Sequence, residues 1–240
     1  MSDPSNNYIS HKARFLKEFD IVAKSAHPVL GRYFGEENVN TLVADTRREF
    51  EALIPKLPYI GGKQPFTEFI VFTGMLLAVY RVSQAHGKTV EQTGELVYDI
   101  GRAFLKSSPA FLARFFGGMN FSRFYLGRLR KRAAESHLRQ YPDDYVYNFV
   151  EGDGKTFDYG VDYLECASCK FLAKQGASEL APYLCPVDIL YSDALGWGLM
   201  RTQTLAEGAP KCDFRFKRGG LTKVAVPASM RHVVAESESQ

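Results

Sequence analysis

Cysteine is scarce in this chain, four residues in 240, and tryptophan occurs once. So few thiols exclude a disulfide-dense scaffold and turn attention to where the sulfurs fall. No apolar run is long enough to cross a bilayer comfortably: the most apolar, Phe69 to Val82, ends in Tyr80 and Arg81 and reads as a buried core helix. The opening residues, Met1 to Asn7, are polar and lack the basic start, apolar stretch and small-residue cleavage site of a leader, so a cytoplasmic protein with no membrane partner is expected. A large charge of one sign is also missing. With a net charge of +3, no nucleic-acid partner is expected. His11, His27, His86, His137 and His232 show no metal-ligand spacing, and there is no internal repeat.

What remains is a composition, 45% hydrophobic and 13% aromatic, able to bury a large core in one domain or two packed subdomains. The first 140 residues read as helices. Phe15, Phe19, Val22 and Ala26 recur at helical spacing between Ser10 and Ala26; Val39 to Leu53 repeats the pattern and stops before Pro55 and Pro58. Phe66 to Ala85 ends at His86-Gly87, Thr89 and Gln92 make a capping box for a helix to Leu105, Ser108-Pro109 opens a short helix to Phe116 that Gly117-Gly118 breaks, and Ser122 caps a basic helix to Arg139. That basic face reads as solvated surface, and Gly61-Gly62-Lys63 as a turn.

Beyond Tyr141 the period changes. Tyr145 to Val150 and Phe157 to Leu164 alternate about the turn Glu151-Gly152-Asp153-Gly154, which predicts a hairpin. Short helices follow at 166–175 and 179–195, then strands at 198–205 and 212–216, and a mobile tail from Pro227 that includes Glu236 to Ser239. The expected class is α+β: an N-terminal helical bundle over 1–140, an antiparallel sheet with short helices over 141–226 that carries the cysteine-rich site, and a tail over 227–240, the whole a single compact unit.

All four cysteines fall in that second part, as Glu165-Cys166-Ala167-Ser168-Cys169, Leu184-Cys185-Pro186-Val187-Asp188 and Lys211-Cys212-Asp213. Cys185 and Asp188 sit three apart on an expected helix and share a face, whereas adjacent Cys212 and Asp213 on a strand point to opposite sides. Cys166-x-x-Cys169 has the spacing of a zinc half-site or redox pair, which Cys185 and Cys212 would complete to four thiolates binding zinc or another divalent metal. Burial of the thiols as small hydrophobes stands against both uses.

These segments, with Leu57-Pro58-Tyr59-Ile60-Gly61-Gly62, the run Phe157 to Cys169 and the run Arg201 to Phe216, resemble the L-2-amino-thiazoline-4-carboxylic acid hydrolase family. The closing Gly208-Ala209-Pro210-Lys211-Cys212-Asp213-Phe214 also looks like the last strand of 4-vinyl reductase-type ligand-binding domains. The resemblance implies a small-molecule substrate and hydrolytic opening of a cyclic C–N/C–S bond, in which water adds to the carbon flanked by sulfur and two nitrogens and the thiolate leaves. It places Cys185 as nucleophile or metal ligand, Asp188 as base or amidinium partner and Arg201 as carboxylate clamp, with Tyr163, Glu165 and Asp213 as substrate-binding candidates. The alternatives are a non-catalytic small-ligand or metal-binding module on the same fold, and an interaction subunit using the basic helix. A homo-oligomer is compatible with each.

Overall fold

The computed structural model describes residues 6–62, 66–107 and 109–238; Lys63 of the expected turn, the capping Ser108 and Ser239 of the tail lie outside them. Seven helices come first: α1 (Asn6–Ser10), α2 (Lys12–Phe34), α3 (Val39–Leu53), α4 (Thr67–Ala85), α5 (Val90–Lys106), α6 (Ala110–Met119) and α7 (Arg123–Ser136). The expected starts of α5 and α7 are confirmed at atomic level. Thr89 and Gln92 exchange the two hydrogen bonds of a capping box, and Ser122 Oγ accepts from the Tyr125 amide.

Two helices run past their expected ends. α2 continues through Pro28 to Phe34, because the buried face carried by Ala26, Val29 and Leu30 continues. α6 continues through Gly117 to Met119, because Gly117 lets the helix approach the chain at Leu195; a Cβ there would lie 2.0 Å from the Leu195 carbonyl oxygen. Among the described residues no helix is long and apolar enough to cross a membrane.

The remainder supplies β1 (Val146–Glu151), β2 (Tyr159–Glu165), α8 (Ala167–Lys174), α9 (Ala181–Leu184), α10 (Val187–Leu195), β3 (Leu199–Arg201), β4 (Cys212–Phe216), β5 (Lys223–Val224) and α11 (Arg231–Glu238). The class is α+β, as expected. The five strands lie in the order β1-β2-β4-β3-β5, and β5 runs parallel to β3, so the sheet is mixed rather than wholly antiparallel. β3 is shorter than its sequence run because Asp213 takes the amides of Thr202 and Gln203, and a turn capped by Thr204 follows. The expected helix over 179–195 is broken at Pro186, which caps α10; the Asp188 amide still donates to the Cys185 carbonyl at 3.2 Å, so the two residues stay one turn apart.

Helices and sheet share the largest buried cluster. Phe50, Leu53, Ile70 and Leu77 from the helices meet Tyr147, Tyr159, Val161 and Phe171 from the sheet and α8. Trp197, just before β3, sets its ring edge-on to Phe216 at 6.0 Å, and its Nε1 is buried without a partner among the described residues. The segment after Pro227, read from sequence as a mobile tail, folds into a turn and α11: Met230 is fully buried and clusters with Tyr98 and Val233, because an apolar residue hidden amid polar neighbours gains by docking on α5.

Candidate functional site

Strand register decides which candidates meet. Tyr163 pairs with Cys212 and Val161 with Phe214 across β2 and β4, and directly paired residues share a face. The inner face therefore carries Tyr163, Cys212 and Phe214, and the Arg201 guanidinium lies 5.2 Å from the Phe214 ring. Asp213 falls on the outer face, where its carboxylate accepts from the Thr202 amide at 2.8 Å, the Thr202 hydroxyl at 2.6 Å and the Gln203 amide at 3.0 Å. Three bonds to its own loop tie it to holding the β3 exit.

α10 closes over the inner face and brings Asp188 to Arg201. Arg201 is 1% exposed; its Nη1 donates to Asp188 Oδ2, and its Nη2 donates to the carbonyls of Cys185 at 3.3 Å and Ala225 at 3.5 Å. Its Nε has no partner among the described residues, an uncommon state for a buried donor. The fork expected to grip a carboxylate is thus largely committed within the protein. The Asp188 side chain keeps 29% exposure, and its carboxyl is raised above its ordinary value by burial, with Arg201 acting in opposition.

The surroundings of Cys166, Cys185 and Cys212 favour the neutral thiol. Burial raises Cys185, whose Sγ lies 3.8 Å from the Ala181 carbonyl on its own turn, and raises Cys212 to about 11, although the Leu205 amide donates to its sulfur at 3.2 Å. Cys166 is raised by the neighbouring Cys169 thiol and by burial. Cys166, Cys185 and Cys212 are near enough to feel one another's charge. Yet among the described residues no three His, Cys, Asp or Glu side chains are grouped so as to hold a metal ion, and the four thiols Cys166, Cys169, Cys185 and Cys212 are not drawn together as one ligand set. The physical reason is direction: Cys166 and Cys169 face each other at the start of α8, Cys185 turns back along its helix, and Cys212 is taken by a backbone amide. Zinc-binding thiols are held as thiolates, the opposite of what burial does here.

Glu165 also stands apart from the Asp188 group. It bonds Arg139 and Lys170, which hold its carboxyl below its ordinary value, and Lys170 further ties down the carbonyls of Pro142 and Asp144. Tyr163 stays with the site, raised far above its ordinary value by burial, in a wall with Tyr145, Tyr147 and Phe214. Sequence reasoning missed the hydroxyl chain beside it: Ser168 Oγ contacts Thr73 Oγ1 at 2.8 Å and Tyr145 Oη at 3.0 Å. Its one signal was Thr73, a hydroxyl inside the most apolar run.

Two cavities lie elsewhere. One of about 110 Å³ is apolar, set among α2, α3, α4, α5 and α10 and reached from α10 by Val187 and Tyr191; the other, of about 410 Å³, is polar and lies between Arg114 and Arg218. Neither includes Cys185, Asp188 or Arg201.

Residues 68–216, more than half of the chain, match the family model described as L-2-amino-thiazoline-4-carboxylic acid hydrolase. The chain belongs to that family. The match contains Cys185, Asp188, Arg201 and all four cysteines, while the resembling loop Leu57 to Gly62 lies outside it. No curated protein and no solved structure matches the chain, so the likeness to 4-vinyl reductase-type domains gains no support from either.

Proposed function

We propose that this protein hydrolyses a cyclic C–N/C–S bond of a small carboxylated heterocycle, an amino-thiazoline carboxylate being the substrate to which the family name points. The observation that carries this reading is the arrangement between α10 and β3: a buried guanidinium with one unpartnered donor beside a carboxylate that retains exposure. Arg201 holds Oδ2 of Asp188, and Oδ1 has no partner among the described residues. That oxygen is free to accept from an amidinium-like nitrogen or from an attacking water.

In this reading water adds to the carbon between sulfur and the two nitrogens as its proton passes to Asp188. Collapse of the adduct forms the C=O bond and breaks the C–S bond; the proton held by Asp188 passes to the leaving sulfur and the adduct's hydroxyl proton to the former ring imine nitrogen, giving an N-carbamoyl cysteine. A carboxyl raised by burial suits both steps, because a group titrating nearer the working pH both takes and returns a proton. Arg201 positions Asp188; its Nε is sealed in this structure and meets a substrate carboxylate only once the cover over it moves. Cys185, one turn before Asp188, forms part of the wall as a neutral thiol; attack by its sulfur would require Asp188 to remove its proton as the bond forms.

Thiol release from 2-amino-thiazoline-4-carboxylate tests this. Asp188→Asn should lower kcat by about a hundredfold or more, while Cys185→Ala keeps most of it; loss with Cys185→Ala and retention with Asp188→Asn would reverse the two roles. The commitment of the Arg201 fork and the burial that raises the Cys185 thiol also favour a second reading, a non-catalytic ligand-binding module. Saturable binding of the heterocycle without thiol release would establish that reading.

A further inference from the structure

α6 is mounted inside out. Its small face, with Ala113 and Gly117, lies on α10, where Gly117 touches the Leu195 carbonyl. Its large side chains Phe111, Leu112, Phe115, Phe116 and Met119 are all exposed, from 42% for Leu112 to 72% for Phe111, and Phe124 at the start of α7 is 74% exposed. At 3.6 residues per turn the five on α6 occupy one continuous arc of about 140°. Concentrated apolar exposure of this kind marks a surface that is covered in use.

The rim is mainly cationic. From residue 100 to residue 134 the chain has eight Lys and Arg and no Asp or Glu. Arg102, Arg130 and Lys131 pair with acids at Asp99, Glu151 and Glu135, whereas Arg114, Arg123 and Arg128 form no ion pair among the described residues. The polar cavity of about 410 Å³ opens beside this surface, lined by Arg114, Gly118, Asp193, Arg218 and Thr222, with exposed Leu221 at its edge. Asp193 accepts from the Thr222 hydroxyl, which leaves two guanidinium groups over one already bonded carboxylate.

A second copy is the poorer match in charge: a symmetric contact through this patch would bring two cationic rims together. The complementary occupant has an apolar interior and an anionic boundary. We propose that α6 and the first turn of α7 seat on the surface of an anionic lipid bilayer, with Phe111, Phe115, Phe116 and Phe124 at the acyl boundary and the Arg114–Arg218 crevice holding a lipid phosphate. This is seating on a membrane, not crossing one, and it is independent of the hydrolase reading.

Co-sedimentation of the full chain with vesicles tests it, using phosphatidylcholine alone against phosphatidylcholine with roughly one-third phosphatidylglycerol. The protein should pellet with the anionic vesicles and release as salt rises. Replacing Phe115 and Phe116 together by serine should weaken binding about tenfold or more, since each is more than half exposed and leaves the core untouched. Arg114→Gln and Arg218→Gln should each cost about fivefold. Circular dichroism checks that the variants stay folded. Absence of vesicle binding, equal binding to neutral vesicles, or unchanged binding by the Phe115/Phe116 variant would overturn the proposal. A dimer in solution that this variant dissolves, or equally tight binding to polyglutamate, would assign the surface to a second copy or to an acidic protein instead.

Discussion

Arg201 gathers carbonyls from the α9–α10 junction and the β5 edge and a carboxylate from α10, at 1% exposure. Such a group cannot be replaced by lysine, whose single nitrogen lacks the planar fork. The partner's ionisation has a direct kinetic consequence: because burial raises the Asp188 carboxyl, the acid limb of kcat/KM should lie above the ordinary carboxylate value, and Asp188→Asn should remove that limb. For stability the signs at Asp188 and Glu165 are opposed. Asp188, raised, contributes fully below its ordinary value and less as pH rises through the raised one; Glu165, lowered, contributes above its ordinary value and loses that as pH falls through the lowered one. Glu165→Gln should therefore destabilise at pH 7 and hardly at pH 2, by about 1 kcal/mol at most because the pair is partly exposed, as urea unfolding at the two pH values will register. The thiols give a further check. With Cys212 raised to about 11, its thiolate at pH 8 is on the order of one in a thousand. Cys185 and Cys212 should accordingly resist alkylation in the folded protein and react once it is denatured.

Among the elements, α6 and α7 carry glycines with opposite duties. Gly117 abuts the Leu195 carbonyl, so Gly117→Ala should push α6 off α10 and cost about 1–3 kcal/mol. Gly127, exposed inside α7 with open space around it, should gain up to about 1 kcal/mol as alanine. Paired thermal melts distinguish the two. The contrast also shows what sequence could reveal. Thr89-x-x-Gln92 and Ser122 announced their helices because capping is local chemistry, and the hairpin about Gly152 to Gly154 was legible from alternation. Gly117 read as a breaker because its reason, a neighbouring carbonyl, belongs to another element. For the same reason β5 went unseen: two residues added parallel to β3 have no periodicity to display. At the site, the sequence brought Cys185, Asp188 and Arg201 into one neighbourhood and the opposite directions of Cys212 and Asp213 into view, since helix and strand periods determine faces. It could not show that Arg139 and Lys170 claim Glu165, that the loop at Thr202 claims Asp213, or that each sulfur already has its own direction.

For the whole molecule, the central cluster draws on residues from both the helical half and the sheet. Removing either half would strip the other's buried face. Unfolding should therefore be a single transition, with far-ultraviolet dichroism of the helices and near-ultraviolet signals of the tyrosine wall coinciding; separated midpoints would instead mean two independently stable subdomains. Met230, just before α11, docks on α5 in a smaller cluster with Tyr98 and Val233, and Met230→Ala should cost about 2–4 kcal/mol by opening a cavity against Tyr98. The sole tryptophan gives this molecule an optical probe of its own. Trp197 stands two residues before β3, packed edge-on to Phe216, with its indole nitrogen shielded. Its emission should sit toward the blue and shift when a ligand moves the strand that ends in Arg201, so binding beside Asp188 can be followed in the unlabelled protein by light alone.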